Sequence, residues 1–452
     1  MTVKTRFAPS PTGFVHLGNA RTTLFNALLA RKEQGRFLLR IEDTDQDRSR
    51  EEFIHALQED LWWLGLDWQE GPVVGGEHEP YRQSEREGVY REYFDQLARE
   101  GLTYPCFCSE QELAFMRKRQ RSAGEPPRYT GKCARLTPEQ IQEKLDQGLQ
   151  ATVRFRVPPG EVVEFNDLVR GPQRFRSDDI GDFIIRRANG STAFFFSNAV
   201  DDALMGVSHI LRGEDHITNT PRQILLLKAL GLPVPDYGHI SLIVGHDGAP
   251  LSKRHGSRSL RELREQGYLP GAVNNYLARL GHTYVNDVYK DLQVLADEFD
   301  VGRLGRAPAK YDAHQLLHWQ HEALAQAGED ELWEWMGPAV SEQVPAEHRQ
   351  AFVATVRANI SFPEHAARWA RIIYTDPLTL DDEAREIVAE AGASFFHEAL
   401  GAYEEHGADF KAFANRVKEA TGCKGKKLFM PLRVALTGET GGPEMTRLMP
   451  LL

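Results

Sequence analysis

The residues best suited to chemistry lie in two short segments far apart in the chain. The first, APSPTGFVHLGNA from Ala8 to Ala20, crowds Pro9, Pro11, Gly13 and Gly18 around one histidine, His16. A segment that leaves a strand and enters a helix brings together backbone N–H groups and the positive end of the helix dipole, which suits a phosphate. Glycines permit close approach, prolines stiffen the path, and His16 can donate to a phosphate oxygen. Alone, the segment reads equally well as a Pro/Gly turn with a surface histidine. The second segment, PLSKRHG at 250–256, follows a strand and a turn, and its Lys253 and Arg254 can reach a polyphosphate as mobile charges. By itself such a loop is usually a solvated surface. Together the two segments suggest halves of one nucleotide site.

A third cluster is Cys106, Cys108 and Cys133, with Cys423 apart from it. Four cysteines in 452 residues are no disulfide framework. Cys-x-Cys supplies two zinc ligands from one loop, and zinc needs four. The residues leave two readings, a zinc site and three free thiols, with the thiols slightly favoured.

The elements that must position these groups follow from periodicity. Val3 to Ala8 reads as a buried strand, ARTTLFNALLARKEQG as a helix with Gly35 as its stop, and RFLLRIEDTD as a second strand ending in carboxylates. Ile54, Leu57, Leu61 and Leu64 lie on one helical stripe, and this alternation indicates a parallel sheet. From residue 84 the texture becomes α+β: a helix, the cysteines, the basic run RKRQR at 117–121, then the short strands ATVRFRV and DFIIRRA. The sheet pattern resumes with TAFFFSNAVDDALMG as a strand running into a helix, then VSHILRGEDH, NTPRQILLLKALG and HISLIV, the last before a GHDG turn. Beyond residue 315 the pattern is helical throughout.

The bulk properties are those of a soluble globular protein: 41% apolar, 26% charged, 10% aromatic, with a net charge of −11. That charge argues against a whole-surface grip on nucleic acid but leaves room for a local basic groove. No apolar run approaches the roughly 18 residues of a membrane span, and MTVKTRFAPS lacks the layout of a signal peptide. A cytoplasmic protein without membrane contact is expected. The length implies roughly three to five compact units.

The motifs themselves carry a resemblance. HLGN at 16–19 looks like the HIGH signature of class I aminoacyl-tRNA synthetases, and LSKR at 251–254 looks like KMSKS. RFAPSPTG at 6–13, RIEDTD at 40–45, EPYRQSER at 79–86 and LRGEDHITNTPRQ at 211–223, in this order, closely resemble the bacterial glutamyl-tRNA synthetases. The similarity is strong over about 280 residues and weaker through ISFPEHAARWA and GKKLFMPLRVALTG.

The resemblance implies a multidomain α/β chain. Its parts would be a Rossmann-type catalytic domain in two halves (1–83 and 191–240), an α+β acceptor-binding insertion (84–190), a stem-contact region with the KMSKS-like loop (241–315) and a helical anticodon-binding region (316–452). It implies L-glutamate, ATP with Mg2+, and tRNA(Glu) as substrates, and a monomer. His16 and Lys253 would stabilise charge on the phosphates, with Pro9, Ser10, Gly18, Asn19, Ser252 and Arg254 also around ATP. Arg6 and Arg212 would grip carboxylate through guanidinium forks, Glu42 would pair with the ammonium, and Ser10, Phe194 and Asn198 would complete the amino-acid site. Read without the resemblance, Arg6 and Glu42 are a structural ion pair.

Some positions depart from the family pattern. Phe194 stands where many relatives have tyrosine, Pro250 replaces the first lysine of KMSKS, and Asn19 replaces the second histidine of HIGH. For zinc, the usual fourth ligand position holds Arg135, and Tyr129 is the substitute the resemblance suggests beside Cys106, Cys108 and Cys133. Phosphate contacts are expected from the basic run 117–121 and from Lys424, Lys426, Lys427 and Arg433. The terminal MPLL implies a following helix. The alternatives are a glutaminyl-tRNA synthetase, whose anticodon region would be a β-barrel, and an inactive nucleotide- or RNA-binding paralogue, which would lack His16, Lys253 or the two arginines.

Overall fold

The computed structural model describes residues 2–45, 47–251, 258–375 and 378–452, so the expected ATP-site residues Ser252, Lys253 and Arg254 lie outside the described residues. The chain divides into two compact units, Met1–Glu262 with Asn274–Ala313, and Leu263–Val273 with His314–Leu452.

In the first unit β1 (Lys4–Phe7) enters the turn-rich segment and α1 (Leu17–Lys32) leaves it; β2 (Arg36–Leu39) then pairs in parallel with β1, Phe7 opposite Leu39. Next comes α2 (Glu51–Trp63), which buries Ile54, Leu57 and Leu61. An interposed stretch carries α3 (Glu87–Arg99), β3 (Thr103–Cys106), α4 (Glu110–Ser122), α5 (Pro138–Asp146), β4 (Thr152–Phe155), β5 (Val162–Asp167), β6 (Gly171–Arg176), α6 (Ser177–Ile180) and β7 (Phe183–Arg186). Within it β3, β4 and β7 form an antiparallel sheet, and β5 and β6 a hairpin. The α/β alternation then returns with α7 (Phe194–Leu204), β8 (His209–Gly213), α8 (Thr220–Leu230) and β9 (Asp236–Ile240), and β8 and β9 run parallel with Arg212 opposite His239.

Backbone and amide hydrogen bonds join the two strand pairs. The Lys4 N–H donates to Ser208 Oγ at 2.8 Å, and the Ser208 N–H returns to the Lys4 carbonyl at 2.9 Å. Asn26, buried on α1, donates to the Leu211 carbonyl at 2.8 Å, while its own carbonyl accepts the Thr5 hydroxyl at 2.7 Å. One residue inside an apolar helix face thus ties α1 to β1 through its backbone carbonyl and to β8 through its side chain.

Two local expectations are corrected. TAFFF is not a strand: Phe194 already begins α7, and only Thr192 makes an isolated bridge, to Arg186. Gly35 is not the left-handed residue that ends α1, because Gln34 takes that conformation at φ 50°. Gly35 is required for another reason, since a Cβ there would fall on the carbonyl oxygen of Val3.

The rest of the first unit holds β10 (Ile243–Val244), α9 (Leu260–Gln266), α10 (Pro270–Arg279), α11 (Leu292–Asp297) and β11 (Ala309–Lys310), with α9 and α10 crossing the unit boundary. Among the described residues no strand follows β11. The chain continues as α12 (Ala313–Gln326), α13 (Glu329–Met336), α14 (Pro338–Ser341), α15 (Arg349–Val356), α16 (Pro363–Tyr374), α17 (Asp382–His406, kinked at Gly392), α18 (Phe410–Thr421), α19 (Lys426–Thr437) and α20 (Met445–Leu448). The apolar residues Met449 and Leu451 are buried. No helix of the described residues is long and apolar enough to cross a membrane.

His282 is a titratable group in the core of the first unit, 4% exposed and stacked on Phe299. Its Nε2 accepts the Asp300 N–H at 3.1 Å, and burial lowers its pKa to about 4. A histidine held below its unfolded value of about 6.5 stabilises the fold above that pH and loses the contribution as pH falls through the folded value. Stability is therefore expected to fall by about 3 kcal/mol on this account between pH 6.5 and pH 4. Urea unfolding of wild type and His282→Gln at both pH values checks it: the variant should show the smaller acid loss.

Candidate active site

The strand ends and α1 enclose a cavity of about 420 Å³. Arg6, at the middle of β1, and Pro9 and Ser10 just beyond it form one wall. His16, Gly18 and Asn19 at the start of α1 form the rim. Glu42 enters from beyond β2, Phe194 and Asn198 from α7, and Arg212 from β8. Every described residue expected at the ATP and amino-acid sites thus lines one cavity.

His16 is the N-cap of α1. Its Nδ1 accepts the N–H groups of Gly18 and Asn19 at 3.2 and 3.4 Å, so these first-turn donors are already engaged. A nitrogen that accepts carries no proton, which places the imidazole proton of the neutral ring on Nε2. Gly18 is held to glycine by this ring, because a Cβ would come within 3.1 Å of it.

The two arginines expected to grip carboxylate are held differently from open forks. Arg6 sets Nε and Nη2 against the two oxygens of Asp202, each at 3.3 Å, and Nη1 stands outside that pair. Arg212 donates from Nε to His239 Nε2 at 3.2 Å and from Nη2 to Thr220 Oγ1 and Gln223 Oε1 at 2.8 and 2.7 Å. Its Nη1 is buried with no hydrogen-bond partner among the described residues. An unmet buried donor of a cation is costly, and a carboxylate in the cavity would meet it. Burial lowers the Arg212 pKa only to about 10, so the charge persists at neutral pH.

Arg6 and Glu42 do not form the direct ion pair that was the bland alternative. Both belong to a network centred on Arg40, whose side chain is fully buried. Arg40 reaches Glu42 Oε1 at 2.9 Å and Asp202 Oδ1 at 2.8 Å. Burial opposes the Arg40 charge, but Asp202, Glu42 and Asp201 outweigh it and raise the pKa. The neighbouring Asp201 accepts Arg86 Nε, Gln83 Nε2 and Tyr90 Oη at 2.8, 2.9 and 2.6 Å. Burial raises the Glu42 carboxyl despite Arg40 and a 2.6 Å hydrogen bond from Asn198, and a ligand cation beside it would oppose that rise.

Several residues carry no expectation from the sequence: His216 in the cavity wall, and Arg40, Asp202 and His239 behind it, in contact with wall residues. His216 faces the Phe194 ring at 5.9 Å and has a pKa lowered to about 4 by burial and by the Arg212 charge. These residues lie inside the motifs RIEDTD, NAVDDALMG and LRGEDH or within β9, but only the fold shows that they meet. Pro250 bridges to Val244, and Leu251 N–H donates to the Ile243 carbonyl at 3.0 Å, which fastens the start of the KMSKS-like segment to β10.

The cysteines of β3 and its exit meet Cys133 in a one-turn helix at Lys132–Arg135. The three sulfurs lie within 4.8 Å of one another, with Cys108 and Cys133 at 3.7 Å. Tyr129 Oη stands 3.5 Å from the sulfurs of Cys106 and Cys108 and accepts the Cys133 N–H at 2.9 Å. Arg135 is exposed. Burial opposes ionisation of Cys106, yet hydrogen bonds from Tyr129 and Arg154 outweigh it and lower the thiol to about 7. The spacing fits tetrahedral zinc, where thiolates about 2.3 Å from the ion stand about 3.8 Å apart.

Comparison with known proteins places this geometry. Residues 2–317 match the catalytic-domain model of the class I tRNA synthetases for E and Q, and residues 313–452 match an anticodon-binding domain. The chain is 62% identical to glutamate–tRNA ligase 2 of Nitrosococcus oceani, covering 100% of this chain and 95% of that one. It is 56% identical to glutamate–tRNA ligase 1 of Halorhodospira halophila, covering 100% and 94%. A glutamate tRNA ligase from Elizabethkingia meningosepticum, solved in complex with its amino acid, superposes with a TM-score of 0.88 at 27% identity, covering 100% and 96%. With a catalytic-domain match over more than half its length and relatives this similar end to end, the chain belongs to the class I tRNA synthetases, among the glutamate–tRNA ligases.

Proposed function

We propose that this chain ligates L-glutamate to tRNA(Glu) with ATP, as a cytoplasmic monomer. The α-carboxylate of glutamate attacks the α-phosphorus of ATP and pyrophosphate leaves; a ribose hydroxyl of the terminal adenosine of the tRNA then attacks the carbonyl of the glutamyl-adenylate, and AMP leaves. Such transfers depend on positioning and on charge stabilisation more than on a protein nucleophile. The observation that carries the reading is the convergence of Arg6, Glu42 and Arg212 on one cavity whose rim is His16. Arg212 and Arg6 receive carboxylate at their unengaged nitrogens, Glu42 receives the ammonium, and His16 donates from Nε2 to phosphate. Lys253 joins the same phosphates. All of these positions except Lys253 lie in the described cavity, which speaks against an inactive paralogue, and the helical second unit speaks against the glutaminyl alternative.

The tRNA surfaces are read from exposure. Arg117, Lys118, Arg119 and Arg121 are exposed on α4, within the proposed acceptor-binding insertion 84–190. Lys424, Lys426 and Lys427 are exposed in the proposed anticodon region 316–452. Arg433 is half-buried, with Nη1 on the Pro443 carbonyl at 2.9 Å, which leaves Nε and Nη2 for a phosphate. Residues 241–315 would contact the stem between them. Cys106, Cys108, Cys133 and Tyr129 would hold zinc, which would supply a structural crosslink for the segment between β3 and α5 and take no part in the transfer.

ATP–pyrophosphate exchange, run with and without tRNA, is expected with glutamate and not with glutamine; the reverse would sink the assignment. Arg212→Ala should raise the glutamate KM about tenfold or more and leave the ATP KM within about twofold. Elemental analysis of the purified chain should find about one zinc per chain, lost on Cys108→Ser and weakened on Tyr129→Phe.

A further inference from the structure

The buried environment of Arg212 is a directed set of hydrogen bonds that ends on a carboxylate at each side. Thr220 Oγ1, which accepts from Arg212 Nη2, also lies 2.9 Å from His239 Nε2 and is free to donate to it. On one side Arg212 donates to Gln223 Oε1, Gln223 Nε2 donates to Asn198 Oδ1 at 2.7 Å, and Asn198 Nδ2 donates to Glu42 Oε1 at 2.6 Å. On the other side Arg212 Nε donates to Nε2 of His239, which is fully buried. An arginine N–H can only donate, so Nε2 must accept and the imidazole proton must sit on Nδ1. Nδ1 faces Asp167 Oδ2. Asp167 closes β5 at 2% exposure, and its Oδ1 accepts the N–H groups of Val169, Arg170 and His239 at 2.9, 2.8 and 3.2 Å. Glu42 Oε1 accepts from both Arg40 and Asn198 at one end and Asp167 Oδ2 faces the ring N–H at the other, which sets the donor–acceptor order along the chain.

We propose that Asp167, acting through the tautomer it imposes on His239, is a positioning residue for Arg212 and thereby sets the preference of the site for a carboxylate over a carboxamide. The proposal rests on Arg212 as the anchor of the substrate carboxylate. With Nε and Nη2 pinned, Arg212 presents Nη1, a donor with no acceptor character. A substrate carboxylate brings two acceptor oxygens and a negative charge to it, whereas a carboxamide brings one neutral oxygen and an NH2 that finds only donors there. The group that enforces this lies on the β5–β6 hairpin, in the insertion, rather than on the strands that line the cavity.

Asp167→Asn tests it, because the amide oxygen can keep the three backbone N–H groups while the NH2 faces His239 Nδ1. The imidazole proton must then move to Nε2, against the Arg212 donor. The glutamate KM should rise about tenfold or more, glutamine discrimination should fall, and the KM values for ATP and tRNA should stay within about twofold. In a His239→Phe background no ring proton links residue 167 to Arg212, so Asp167→Asn should add little. The same penalty in both backgrounds, or equal rises in all three KM values, overturns the proposal. Histidine-ring nitrogen NMR of the wild-type chain gives a readout that needs no variant: His239 neutral and protonated on Nδ1 is expected, and protonation on Nε2 overturns the proposal. If Arg212→Ala leaves the glutamate KM unmoved, the anchor reading itself fails. If Arg212→Ala raises it and Asp167→Asn does not, only the present inference fails.

Discussion

Arg40 is the interaction on which the site depends. A guanidinium with no solvent exposure is tolerable only if its charge is answered on several sides, and here Glu42, Asp202 and Asp201 answer it. Those three carboxylates come from the exit of β2 and from α7, and they in turn fix Arg6 on β1 and Arg86 and Tyr90 on or beside α3. The ends of separate strands are therefore locked by charge as well as by the apolar packing behind them. A pocket that must distinguish charged substrates gains from this, because its side chains reach their ligand geometry before the ligand arrives.

Much of the fold was legible because its signals are local. The leucine stripe of α2, the proline at the first turn of α8 and the helical run after residue 315 each need only a few neighbouring residues to be read. The turn between β1 and α1 was legible for the same reason, since prolines, glycines and His16 crowd one segment. TAFFF misled because three aromatic residues in a row favour a strand by propensity, whereas packing of Phe196 against Tyr90 and Phe94 decides for a helix. Gly35 misled because the residue that reverses the chain is its neighbour, and the carbonyl it must avoid belongs to Val3.

The partners of the arginines were not legible from residue pattern. Arg6 and Asp202 are 196 positions apart, and His239 and Asp167 are 72 apart. Sequence spacing says nothing about pairs that only the parallel crossover brings together. It could mark Arg6 and Arg212 as carboxylate binders through the motifs, but not that each would spend two nitrogens on internal partners. The cysteine cluster lies between these cases. Cys-x-Cys was visible as a ligand pair, while the place of Tyr129 beside it came from resemblance and is given substance by its position among the three sulfurs.

The cap on α1 has a consequence for the kind of chemistry the cavity can host. Because Nδ1 of His16 is spent on the N–H groups of Gly18 and Asn19, the ring meets the cavity with one hand only, and that hand gives a hydrogen bond rather than taking a proton. A reaction that needed this histidine to strip a proton from an incoming hydroxyl or amine would have to uncap the helix first. A carboxylate nucleophile arrives already ionised at neutral pH and asks for no such service. The fold has in that sense chosen its nucleophile before any substrate binds.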